Sequence, residues 1–167
     1  VAKEKEQHIT IITSGTNSEK RNCLQTVEAI PMILKEFPDV KFKFVGKYQP
    51  ESFENTLQER ARELNVEHAV IIEGMLPWLK NFERVGRAHI GCVFYADNLN
   101  NRVTIPNRLF EYMAMGLTIV GEAFPEVEKV VTDAKCGITV DSSKPESIAK
   151  GICSLLRNPA ELAQMGK

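Results

Sequence analysis

Along this chain, short runs rich in β-branched and aromatic residues alternate with stretches whose apolar positions recur every three or four residues. Several of the runs 8–13, 40–45, 69–73, 89–95, 117–121 and 137–140 are solidly apolar or nearly so. Strands covered on both faces look like this, whereas a half-exposed strand alternates strictly. Between the runs the spacing turns helical. Phe53, Leu57, Ala61 and Leu64 form one stripe, Val127, Val130, Val131 and Ala134 a second, and Ile148, Ile152, Leu155 and Leu156 a third. Residues 19–37 read as the first helix, with Pro31 implying a kink or a restart, and 77–86 as a short one.

Strands separated by helical crossovers predict an α/β fold, a doubly wound Rossmann-like parallel sheet of about six strands in the order 3-2-1-4-5-6. No internal repeat, low-complexity tract or linker divides residues 1–167, so they are expected to form a single domain. A charged lead opens the chain and Met165-Gly166-Lys167 ends it just after a helical stretch, as expected of a domain excised from a longer protein.

Composition narrows the function. With 43% hydrophobic and 26% charged residues, the chain is neither disordered nor fibrous. No apolar run reaches bilayer length and no signal peptide is evident. A net charge of −1 offers no basic field for nucleic acid. Cys23, Cys92, Cys136 and Cys153 are scattered, without a CxxC pair or a histidine at ligand spacing, and read as free thiols of a cytoplasmic protein. His8, His68 and His89 make no cluster, so no metal site is expected.

In a doubly wound sheet, ligands bind beyond the carboxyl ends of the strands where strand order reverses. The expected order puts that crevice between the loops 14–21 and 96–105. The first loop offers Gly15 for close backbone approach and the pair Lys20-Arg21 at a helix start, though such a pair also serves simply to solvate a helix. The second runs into Pro106-Asn107-Arg108-Leu109-Phe110-Glu111-Tyr112-Met113-Ala114. Pro106 suits the first helical position, which would turn free backbone N–H groups toward a phosphate. Asn107 and Glu111 share one helix face, with Leu109, Phe110 and Met113 on the apolar side. Glu111 could accept hydrogen bonds from two ribose hydroxyls or be an ordinary exposed glutamate; spacing leaves both open. There is no GxGxxG, no GxxxxGK[ST], no pair of strand-end carboxylates of the receiver type and no GxSxG. Nicotinamide dehydrogenases, P-loop NTPases, receiver domains and α/β-hydrolases are thereby set aside.

The run from Pro106 to Leu117, followed by Thr118-Ile119-Val120, resembles the donor-site signature of the group 1 glycosyltransferases, retaining enzymes of the GT-B fold. Supporting markers fall in the same order: Phe44-Val45-Gly46, Ile72-Glu73-Gly74, Ala88-His89-Ile90-Gly91, Gly137-Ile138-Thr139-Val140-Asp141 and a last helix ending at Met165-Gly166. The resemblance implies the C-terminal, donor-binding domain of a two-domain enzyme. Such an enzyme moves sugar from a nucleoside-diphosphate sugar to a glycan or lipid-linked acceptor in polysaccharide biosynthesis.

By position, Glu111 would bind the ribose, Ile105, Pro106, Asn107, Arg108 and Arg21 the diphosphate, and the backbone of Gly74 and Met75 the base. Gly15, Thr16 and Lys20 would complete the donor site. No catalytic nucleophile or cofactor is implied. The acceptor would bind an N-terminal domain outside this chain, through which the enzyme could touch the inner face of a membrane, and the isolated domain would be inactive. Two positions depart from the family pattern: Thr16 stands where an arginine is common, and Val103 where many members have a second glutamate. Arg102 or Arg108 could replace that arginine. The departures also fit an alternative, a degenerate module that binds nucleotide sugar or scaffolds without transferring.

Overall fold

A computed structural model describes residues 4–167. Six strands, β1 (Thr10–Asn17), β2 (Lys41–Tyr48), β3 (Val70–Glu73), β4 (Ile90–Val93), β5 (Thr118–Glu122) and β6 (Gly137–Val140), form one sheet in the order β3-β2-β1-β4-β5-β6. Every pairing is parallel. Fold class and strand order are as the sequence predicts.

Successive strand residues feed opposite faces. Ile11, Phe44, Ile90 and Val120 join one core, built with α1 (Cys23–Leu34), α2 (Phe53–Glu63), α7 (Pro145–Leu156) and α8 (Pro159–Met165). Ile12, Val45, Val93 and Ile119 join the other, closed by α3 (Trp78–Gly86), α5 (Asn107–Ala114) and α6 (Pro125–Ala134). The predicted stripes face these cores: Phe53, Leu57 and Ala61 are buried, as are Ile148, Ile152, Leu155 and Leu156, while Ala134 at the end of α6 is exposed. One short helix, α4 (Leu99–Arg102), lies in a segment expected to be loop, capped by Asn98 Oδ1 accepting from the Asn101 N–H at 2.9 Å.

Two expectations are corrected and one is narrowed. The first helix does not begin at Glu19: a 3-10 turn spans Glu19–Arg21, Asn22 takes a left-handed conformation (φ 49°), and α1 starts at Cys23. Pro31 lies inside α1 without making it restart, because Val27, Ile30 and Ile33 on either side bury completely and outweigh the lost hydrogen bond. Residues 14–17 are strand rather than loop. β1 stays paired with β2 to Asn17–Tyr48, with Gly15 opposite Gly46. Both glycines have positive φ (101° and 128°), and a Cβ on Gly46 would lie 2.1 Å from the Gly15 carbonyl oxygen, so glycine lets the two strands run on past their expected ends at Thr13 and Val45.

Candidate functional site

The crevice forms where β1 and β4 part. Their pairing covers only Ile11–Ile90 and Ile12–Gly91. Beyond it the Ser14 N–H is met by a side chain, donating to the Tyr112 hydroxyl at 2.9 Å. Tyr112 is 1% exposed, and burial pushes its hydroxyl up to about 12, so it stays protonated. This contact pins α5 against the end of β1. Tyr112, rather than Phe110, anchors the helix: Phe110 is 48% exposed, because it lies about 100° around the helix from the Leu109–Tyr112–Met113 side.

With α5 fixed, the Arg108 guanidinium reaches across to Gly15. A Cβ on Gly15 would sit 2.2 Å from Arg108 Nη2, so the glycine leaves the space this side chain fills. Pro106 is the N-cap of α5, one residue earlier than predicted, with an extended ψ of 135°. Its carbonyl accepts from the Leu109 N–H at 3.0 Å. The helix still starts beside the crevice, and first-turn N–H groups lack intrahelical acceptors.

Arg21 approaches from the other side. Its guanidinium lies 3.7 Å from the centroid of the Tyr95 ring, which follows β4. Burial first, and the nearby positive charge of Arg108 second, lower Arg21 to about 10. Arg21 Nη1 is buried without a hydrogen-bond partner, as are Asn17 Nδ2 on β1 and the acceptor Gln25 Oε1 on α1. Among the described residues neither Arg21 nor Arg108 is in an ion pair. Two like charges drawn together at a crevice, one half-buried and lacking a partner, suit a multivalent anion. The segments that carry Arg21 and Tyr95 are joined directly, the Ala96 N–H donating to the Lys20 carbonyl at 2.9 Å.

Beside Gly15, which abuts Arg108, a pocket of ≈ 290 Å³ is lined by Gly15, Thr16, Gly46, Lys47, Met75, Leu76 and Asn81. The predicted residues Gly15, Thr16 and Met75 thus come together with Arg108 and Arg21. Gly74 is exposed beside the pocket, and Met75 is 79% exposed. Ile105 is half-buried against the core, holding the approach to α5. Glu111 and Asn107 are exposed on α5. Lys20 contributes its carbonyl to the structure, while its side chain is exposed.

Of the two arginines that could replace the one missing at position 16, Arg102 makes a two-pronged, exposed ion pair with Asp97. Arg108 lies beside the neighbouring Gly15. Tyr95, Asn17, Lys47 and Asn81 were not read from the sequence as site residues. Only the polarity of the segments around them hinted at a role, since each joins the crevice through the meeting of separate strands.

Among the described residues, no group of three or more His, Cys, Asp or Glu is placed to hold a metal ion, and no helix is long and apolar enough to cross a membrane.

A six-stranded parallel sheet with a cationic crevice at its reversal point is one half of a GT-B fold, and residues 8–158 match the model of the family Glycosyl transferases group 1. The chain belongs to that family, as its C-terminal domain. Among solved structures, it is similar to the C-terminal domain of LpcC, a group 1 glycosyl transferase family protein from Francisella tularensis, at 15% identity and TM-score 0.76, covering 98% of this chain and 83% of that one. It is also similar to WaaG, a glycosyltransferase involved in lipopolysaccharide biosynthesis, at 17% identity and TM-score 0.73, covering 97% of this chain and 41% of that one. Anabaena HepE, solved with UDP-glucose, matches at 13% identity and TM-score 0.79, over 96% of this chain and 42% of HepE. This chain therefore spans about two fifths of the length of WaaG and HepE. No curated protein matches it by sequence.

Proposed function

We propose that this domain holds the nucleoside-diphosphate-sugar donor of a retaining glycosyltransferase. The observation that carries the reading is Arg21: half-buried, capped by Tyr95, set beside Arg108, and with Nη1 lacking a partner. In this arrangement the diphosphate bridges Arg21 and Arg108 at the start of α5. The ribose hydroxyls bond to Glu111, and the base enters the pocket by Gly74, Met75 and Leu76. The two guanidinium groups and the first N–H groups of α5 stabilise the negative charge that builds on the departing nucleoside diphosphate, the main electrostatic task in such a transfer. No side chain of this crevice is assigned a covalent role.

The acceptor and the facing wall of the cleft belong, in this reading, to another domain of a longer, cytoplasmic enzyme. The acceptor is a glycan or lipid-linked saccharide, and the enzyme works at the inner face of a membrane. UDP is the probe of choice, because HepE was solved with UDP-glucose. Calorimetry with UDP should show binding that Arg21→Ala weakens much more than it weakens the binding of uridine. An equal loss for both would refute the diphosphate assignment.

Val103 favours a second reading. It is 66% exposed at the position where related enzymes often carry a glutamate, so the domain could bind donor without supporting transfer. Donor consumption by the full-length protein with acceptor present separates the two: turnover supports the enzyme, binding without turnover the degenerate module.

A further inference from the structure

The proposed diphosphate site depends in part on the direction of the Arg21 side chain, and the buried Glu122 carboxylate reaches both of its supports. Glu122 ends β5 and is 4% exposed. Its Oε2 accepts from the Tyr95 N–H at 3.4 Å, and Tyr95 is the ring beneath Arg21. Its Oε1 accepts from the Ser142 N–H at 3.1 Å, and its Oε2 from the Ser142 hydroxyl. That hydroxyl in turn accepts from Asn22 Nδ2 at 2.7 Å. Asn22 immediately follows Arg21 and holds the left-handed turn that opens α1, its carbonyl accepting from the Thr26 N–H and hydroxyl.

Resting on the donor-site reading above, we propose that Glu122 is the positioning residue of that site. Its carboxylate ties the segments after β4 and β6 to the cap of α1, so that the Arg21 guanidinium is held over the Tyr95 ring and aimed at the anion. The carboxylate meets two backbone N–H groups and one hydroxyl, which in turn accepts from Asn22. An ionised carboxylate can accept from all three. Glutamine would place an amide N–H₂ against one donor, and alanine would orphan all three in a buried place. Burial, with the nearby negative charge of Asp141, raises Glu122 above the ordinary carboxylate range, which makes this one of the costlier acids of the fold to keep ionised. Ser142 is 0% exposed and Asn22 6%, and Glu122 and Asn22 border a pocket of ≈ 320 Å³ together with Tyr95, Asp97 and Arg102.

The test is a double-mutant cycle on UDP and uridine affinity in the full-length protein, with Arg21 NMR as a second readout. Glu122→Gln should weaken UDP about tenfold, the scale of one displaced charged hydrogen bond, and leave uridine unchanged. In an Arg21→Ala background the same substitution should cost UDP nothing further, because Glu122 acts through Arg21. The Arg21 side-chain protons, shifted by the Tyr95 ring in the wild type, should move toward free-arginine positions in Glu122→Gln. Ser142→Ala, which keeps the Ser142 N–H bond and is milder on folding, should move both readouts the same way. A UDP loss equal with and without Arg21, or an equal loss for uridine, would reduce Glu122 to a support of the fold. Failure of the wild type to bind UDP, or no effect of Arg21→Ala, would overturn the donor-site reading itself and this role with it.

Discussion

Arg108 occupies the space beside Gly15 where any other residue would carry a Cβ: an atom placed there would fall 2.2 Å from Arg108 Nη2. One glycine therefore does two things. Its φ of 101° lets β1 continue beside β2, and its missing side chain admits a cation from α5 to the end of β1.

Gly15→Ala should accordingly cost about 1–3 kcal/mol, the scale of forcing a non-glycine residue into strained backbone. The steric part is cheaper, because the far end of a flexible arginine can swing away. Chemical denaturation should show a lower midpoint with an unchanged slope. UDP affinity should fall as well, since the swing removes Arg108 from the crevice. A variant as stable as wild type would show that the backbone at position 15 relaxes freely.

Tyr112→Phe should destabilise the domain by about 1–3 kcal/mol, because it strands the Ser14 N–H in a buried place with no acceptor. Hydrogen exchange at the Ser14 amide should accelerate more than at neighbouring β1 amides. If exchange there is unchanged, α5 is not pinned to β1 by this contact.

Much of the architecture could be read from sequence because both faces of the sheet are covered, which makes strands such as 69–73 and 89–95 nearly continuous apolar runs. What could not be read is tertiary. The strands expected to end at Thr13 and Val45 instead run on, with Gly15 facing Gly46 in a ladder that continues to Asn17–Tyr48. The predicted site residues Gly15, Thr16, Arg21, Met75 and Arg108 do converge. Tyr95 becomes Arg21's support only because the segment after β4 crosses the turn before α1, a contact that no spacing within either segment encodes. Glu122 lay just past the predicted end of its strand, where an acid looks solvated. Its burial depends on the chain returning at Ser142.

Glu111→Ala should weaken UDP and uridine together by about 1–3 kcal/mol, the scale of hydrogen bonds to a charged group, because the ribose is common to both ligands. Its exposed position on α5 predicts a melting temperature within a degree or two of wild type, as for most surface substitutions. Unfolding with affinity retained would make the glutamate structural.

Alkaline pH offers a check on Arg21 that needs no new ligand. A guanidinium is cationic below its pKa, and burial together with Arg108 lowers Arg21 to about 10. UDP affinity should therefore be flat through neutral pH and decline as pH rises through about 10. Arg21→Ala should flatten that decline. A decline of equal size in the variant would assign it to another group.

The most direct test of the paired-arginine donor site is a calorimetric comparison of UDP with uridine on the wild type, Arg21→Ala and Arg108→Ala. Charge-assisted contacts to phosphate predict that each substitution weakens UDP by about 10- to 100-fold and leaves uridine nearly unchanged. Equal losses for UDP and uridine, or no UDP binding by the wild type even at millimolar concentration, would contradict a donor site built on these two arginines.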